Sequence, residues 1–296
     1  MQRFDLFLLS IVFILALIGI LLIFVATYKT PQFFLFTKQA IFLLVGVGVM
    51  LVALKIPMRI HYALAHYYLG FAVLMFIVLL FQADGVRRWF RLGGLAFQPS
   101  EFAKLAWIFF LARYFDERKR DIDNWRTPAL PLVLFVGILT LLIYQPDLGT
   151  GLLFGALFLG ILWWAGFSGF SLFLLISPII SLLAAFNWVT WAIYFFLLII
   201  ALYVKQIGIK KSGLWIAINT VFGLITPFAW MRLYDYQRRR ILVFLDPGRD
   251  PFGAGYQVLQ SKIAIGSGNI AGKGIVLTEQ PGISYLPART TDFIFA

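Results

Sequence analysis

Long apolar runs, each broken by a few polar residues, recur along most of this chain. Runs of about 17 to 25 apolar residues match the roughly 30 Å of hydrocarbon in a bilayer, because a helix rises about 1.5 Å per residue. Hydropathy predicts such helices near residues 6–27, 34–54, 62–82, 101–115, 129–145, 148–165, 169–186, 188–204 and 213–231. Only Phe186 and Asn187 separate the runs over 169–204, so a re-entrant element is the alternative there. The first run exceeds a signal-peptide core and is followed by no small-residue cleavage site, which makes it a retained helix. The expected fold class is an all-α polytopic membrane protein, a helical bundle of about nine transmembrane helices over residues 1–231.

The pattern breaks near the end of the chain. The stretch "FLDPGRDPFGAGYQVLQSKIAIGSGNIAGKG", residues 244–274, is polar and studded with glycine. From a cytoplasmic N-terminus, an odd number of crossings delivers residues 232–292 to the outer face as one long extracytoplasmic loop. Loops of that length commonly act as lids or binding elements. The final "TDFIFA" is apolar again, so residues 293–296 read as the first turn of a truncated helix, with further helices expected after residue 296.

Composition agrees with a membrane location: 61% of the 296 residues are hydrophobic and 13% charged, about half the charged share of a soluble domain. The chain has no cysteine, which excludes disulfides, thiolate metal sites and thiol catalysis. The formal charge of +12 is scattered over short loops rather than gathered on one soluble face. That distribution points to membrane lipids and phosphates as partners and away from nucleic acid.

Arg3, Lys55, Arg59, Arg113, Arg118, Lys119, Arg120, Arg126, Lys205, Lys210 and Lys211 fall on one side, which the positive-inside rule makes cytoplasmic. Lys29, Lys38, Arg87, Arg88 and Arg91 fall opposite, and the three arginines run against that bias. In "GVRRWFRLGG" they accompany Trp89 and Phe90, a composition suited to an amphipathic segment in the interface. The sharper reading is a guanidinium that grips a diphosphate through paired hydrogen bonds.

In "FQPSEFAKL", Ser100 is a natural N-cap, and Glu101 and Lys104 share one helix face at the membrane margin. They form either an ion pair that snorkels to the interface or part of a polar cavity. Asp147 in "YQPDLGTGLLFG" is a helix N-cap by default, and Gly151 and Gly155 make a small-residue face for close helix packing. Asp250 in "GRDPFGAGY" sits among turn residues that bring a carboxylate close to a ligand, while Asp246-Pro247 repeats the pattern, and spacing does not choose between them. "GSGNIAGKG" fails the spacing of a nucleotide-binding P-loop, so no nucleotide cofactor is expected. His61 and His66 have no metal-ligand partner nearby in sequence and receive no role.

Taken together, "RRWFRLGGLAFQPSEFAKL", "QPDLGT", "DYQRRRILVFLDPGRDPFGAGYQVLQSKIAIGSG" and "TDFIFA" resemble the RodA/FtsW (SEDS) family, the RodA branch more closely. The four blocks occur in family order, up to about residue 186 and again from about 232, so residues 188–231 read as an inserted helical hairpin. The resemblance implies a peptidoglycan glycosyltransferase that polymerises lipid II, growing glycan on undecaprenyl diphosphate beside a class B penicillin-binding protein. It implies Asp250 as catalytic general base, and places Arg88, Trp89, Gln98, Glu101, Lys104, Asp147, Gln257, Gln260, Ser261 and Lys262 around the substrate. A divalent cation, Mg or Mn, is the implied aid to the departing diphosphate, alongside Arg88 and Lys104. The family's usual acid and imidazole before "TDFIFA" are replaced here by Ala288 and Thr290. A flippase for lipid-linked precursors and an inactive scaffold for the transpeptidase are the rival readings.

Overall fold

The computed structural model describes residues 5–28, 30–82, 88–92, 95–122, 124–233, 235–253, 255–268 and residue 294. Each of the nine expected helices is present: α1 (Leu6–Thr27), α2 (Phe34–Lys55), α3 (Met58–Leu80), α4 (Pro99–Glu117), α5 (Ala129–Tyr144), α6 (Leu148–Trp164), α7 (Gly169–Ala184), α8 (Trp188–Val204) and α9 (Ile209–Arg232). Four of them, α1, α2, α3 and α9, are long and apolar enough to cross a bilayer. Helices α5 to α8 are apolar and 16 or 17 residues long, about 24–26 Å of rise. The chain is a multi-pass membrane protein.

Local chemistry sets the boundaries. Asp5 caps α1 by accepting from Phe7 N and Leu8 N. Asn187 accepts from Val189 N at 2.8 Å, starting α8 afresh and making the two runs over 169–204 separate helices. After α6, Gly166 takes φ +99°, and Phe167 N donates to Leu162 O, the left-handed cap that glycine allows. Helix α4 corrects one expectation: its N-cap is Gln98, not Ser100. Pro99, with φ preset for the first helical position, starts the helix earlier and draws Ser100 into the first turn.

Two segments between the long helices carry regular structure of their own. Before α4 the chain forms a two-stranded antiparallel ribbon, β1 (Phe90–Leu92) and β2 (Leu95–Phe97), with Arg91 opposite Ala96. The long polar segment is also not a plain loop. It contains α10 (Asp235–Leu245), a short 3-10 turn at Pro247–Arg249 and α11 (Tyr256–Gly268).

The chain divides into two compact units, residues 1–55 with 229–296, and residues 56–228. In the first, α1 and α2 pair as a hairpin whose turn is packed by Phe24, Phe33 and Phe36, and the 3-10 turn contacts both α10 and α11. In the second, α3, α4, α5 and α6 enclose a core centred on the fully buried Trp107. Helix α4 feeds that core with Ala103, Ala106, Trp107, Phe110, Leu111 and Tyr114, a three-and-four spacing along one face. The Gly151–Gly155 face of α6 meets Leu139 and Phe135 of α5, and an added Cβ at Gly155 would lie 3.1 Å from the Phe135 ring. Helices α7, α8 and α9 are joined differently, by hydrogen bonds among Ser177, Ser181, Tyr194 and Asn219.

Candidate active site

The predicted site residues fall into two constellations, one in each unit. In the second unit, one end of the bundle gathers the C-termini of α3 and α5 with the N-termini of α4 and α6. Arg88 Nε donates to the Gln145 carbonyl at 2.9 Å. Gln145 is 2% exposed, and its own side chain donates to Phe76 O at 3.0 Å, tying the end of α5 to α3. Asp147 caps α6 by accepting from Thr150 N at 3.4 Å and Thr150 Oγ1 at 2.9 Å. Its second oxygen also lies 3.5 Å from Gln98 Nε2, so the cap and a link to α4 coexist.

Ser100 is buried beside these residues in the first turn of α4, and its hydroxyl meets no partner among the described residues. Trp89 is exposed. Lys104 Nζ lies 2.7 Å from Glu101 Oε2, with side chains 23% and 61% exposed. The pair lines a groove of about 570 Å³ between α4 and α6, walled by Phe97, Leu105, Leu153 and Leu157. The ion pair is thus the polar element of an otherwise apolar groove.

In the first unit, Asp250 follows the 3-10 turn with extended φ, and its carbonyl accepts from Gly253 N and Gly255 N. Its side chain lines a cavity of about 210 Å³ with Arg239, Leu242 and Val243 of α10. The glycines here answer a packing demand. A Cβ on Gly253 would collide with the Asp250 carboxylate, and one on Gly255 with Pro247 O. Asp246 turns the other way in function: it is exposed and accepts from Gly248 N at 3.1 Å, closing its own turn.

On α11, Gln257, Gln260 and Ser261 share one face by helical spacing. Ser261 is buried and donates to Val258 O, while Lys262 is exposed and lies off that stripe. Arg87, Ala288, Thr290 and the "TDFIFA" start of a further helix lie outside the described residues, Ile294 apart. Among the described residues no three carboxylate or imidazole groups converge as a metal cage.

Two residues that sequence reasoning left without a role belong to these constellations, Gln145 and Arg239. Gln145 adjoins Asp147 in "YQPD" and Arg239 lies in "DYQRRRI", so both sit inside motifs already singled out.

The family described as Cell cycle protein, FTSW_RODA_SPOVE, matches residues 3–194 and 171–296. The chain belongs to this family. It is 36% identical over 256 residues to the peptidoglycan glycosyltransferase MrdB of Escherichia coli (strain K12), a match covering 85% of this chain and 57% of that protein. It is 32% identical over 308 residues to the probable peptidoglycan glycosyltransferase FtsW of Geobacter sulfurreducens (strain DL-1 / KN400), covering 100% and 70%. The chain thus spans little more than half the length of the Escherichia coli relative. Among solved structures it resembles a chain from a peptidoglycan synthase complex in which polymerization and crosslinking are coordinated, with TM-score 0.58 and 28% identity. That likeness covers 91% of this chain and 67% of the other.

Proposed function

We propose that the chain is a peptidoglycan glycan-strand polymerase. It transfers a lipid-diphosphate-linked glycan to the 4-hydroxyl of lipid II at the outer face of the bacterial cytoplasmic membrane, for cell-wall elongation and cell shape. Family membership and the names of the relatives support the reaction class. The observation that carries the assignment of chemistry is Asp250, a carboxylate on a cavity wall where Gly253 leaves it room, with Arg239 on the same wall.

In the proposed step the acceptor O4 attacks the anomeric carbon of the donor, and its proton passes to the Asp250 carboxylate. The O4–C1 bond forms as the C1–O bond to diphosphate breaks, so an α-linked donor gives a β-1,4 link and undecaprenyl diphosphate departs. A general base must lie within hydrogen-bond reach of the hydroxyl it deprotonates, and an exposed turn carboxylate such as Asp246, engaged with Gly248 N, is the poorer candidate. Positive charge stabilises the leaving diphosphate. Arg239 supplies it in the first unit, and Arg88 and Lys104 offer it in the second. A divalent cation at Asp250 would add further charge neutralisation. Gln98, Glu101, Asp147, Trp89, Gln257, Gln260, Ser261 and Lys262 are assigned to binding and shaping the substrate's surroundings. A class B penicillin-binding protein is the proposed partner, in keeping with the synthase complex that the fold resembles.

The deciding experiment presents fluorescent lipid II to the purified chain in detergent, with and without the transpeptidase, beside Asp250→Ala. Glycan polymer from the native chain and none from the variant is the expected result. A flippase yields no polymer in detergent, and a scaffold yields equal amounts from both chains.

A further inference from the structure

At the end of the second unit opposite Arg88 and Asp147, the C-termini of α4, α6 and α8 meet the N-termini of α5, α7 and α9. Trp125, in the α4–α5 connection, packs against Phe167 of the α6–α7 turn and Trp215 of α9, with ring centroids 5.5 and 5.3 Å apart. Lys205, closing α8, lies 5.8 Å from the centre of the Phe170 ring. These contacts bring the α4–α5 connection and the α8–α9 turn side by side. The connection is ordered by its own bonds, Thr127 Oγ1 to Asp121 O at 2.6 Å and Arg126 N to Asn124 Oδ1 at 3.1 Å.

Lys119, Arg120 and Arg126 on the connection, and Lys205, Lys210 and Lys211 on the turn, are all exposed. None has an acidic partner among the described residues, and only Asp121 and Asp123 oppose them in these two segments. Glu117 next door is already paired with Arg113 at 2.7 Å. Lys210 and Lys211 occupy the first turn of α9 with no acidic residue there, where cations oppose the helix dipole, so they do not serve that helix's stability. Trp164 and Tyr203, 86% and 84% exposed, stand at the same helix ends, as aromatic side chains do at the headgroup level of a bilayer.

We infer that the α4–α5 connection and the α8–α9 turn together form a binding surface for the headgroups of anionic phospholipid. Cations with no acidic partner among the described residues, directly beside an aromatic band, meet lipid phosphate at the depth where it resides, whereas a soluble polyanion would have to approach across the membrane margin. The inference rests on the chain's spanning a membrane and stands apart from the polymerase reading, because none of its residues belongs to either constellation of the candidate active site.

The test uses the full chain purified in neutral detergent and native mass spectrometry with phosphatidylglycerol or phosphatidylcholine as probe. The native chain is expected to retain phosphatidylglycerol preferentially. The triple variants K205Q/K210Q/K211Q and K119Q/R120Q/R126Q should each bind it about 100-fold more weakly, with phosphatidylcholine binding unchanged. Inorganic phosphate at millimolar concentration should fail to displace the lipid, and raised salt should weaken binding. An unchanged circular dichroism melt shows that a variant is folded, and a K55Q/R59Q variant reports the effect of lost charge elsewhere. Equal retention of the two lipids by the native chain, undiminished phosphatidylglycerol binding in folded triple variants, or an equal loss in K55Q/R59Q would overturn the inference. So would displacement by phosphate or preferential capture of an oligonucleotide.

Discussion

Arg88, Gln98 and Asp147 sit where four helix ends converge, and each is tied by a side-chain bond to a neighbouring segment. Asp250 sits on a turn between two short helices, positioned by its own backbone and by the absence of a side chain at Gly253. The first arrangement is held by tertiary bonds, so its geometry fails when a supporting residue is removed. The second turns on one carboxylate beside a cavity, so its chemistry can be removed by a substitution that keeps the side chain's shape. Substitutions in the two constellations should sort accordingly.

The largest effect is expected at Asp250→Asn, which keeps the side chain's shape and removes its basicity. Polymer formation should fall about 100-fold or more, the usual scale for a lost general base, with the native circular dichroism spectrum retained. Gln145→Ala should act through position instead. Losing the buried bond to Phe76 O should cost about 1 kcal/mol, and loosening the end of α5, whose main-chain carbonyl at Gln145 accepts from Arg88, should lower polymerisation roughly 10-fold. Thermal denaturation and activity should therefore fall together, which would separate Gln145 from Asp250.

Asp147→Ala removes the α6 cap and should cost about 1 kcal/mol, a few degrees in melting temperature, while Asp147→Asn retains most of the capping. Glu101→Gln should cost least, about 0.5 kcal/mol or below, because its pair with Lys104 is largely open to solvent. A fall in activity from Gln145→Ala larger than that from Asp250→Asn would break the distinction between the two constellations.

Much of the fold was legible because hydropathy reports burial in lipid, and nine apolar runs became nine helices with ends within a few residues of expectation. The errors came where local choices compete. Ser100 is a good cap in isolation, yet Pro99 fixes the helix start ahead of it. Strands of three residues are too short for alternation to signal, and α10 and α11, 11 and 13 residues long, form no apolar run long enough to stand out within a polar stretch. The motifs of the candidate site were visible as residues, and their connections were not. Nothing in "YQPD" announces that Gln145 reaches Phe76, and nothing in "DYQRRRI" selects Arg239 for the Asp250 cavity, because both relations cross between elements.

The most direct test of the central claim is chemical rescue of Asp250→Ala with formate, read as glycan polymer formed from lipid II. If Asp250 supplies the base, the variant should be inactive alone and regain measurable polymerisation as formate rises, while the native chain shows no gain. Native-rate polymerisation by Asp250→Ala without formate would contradict the account.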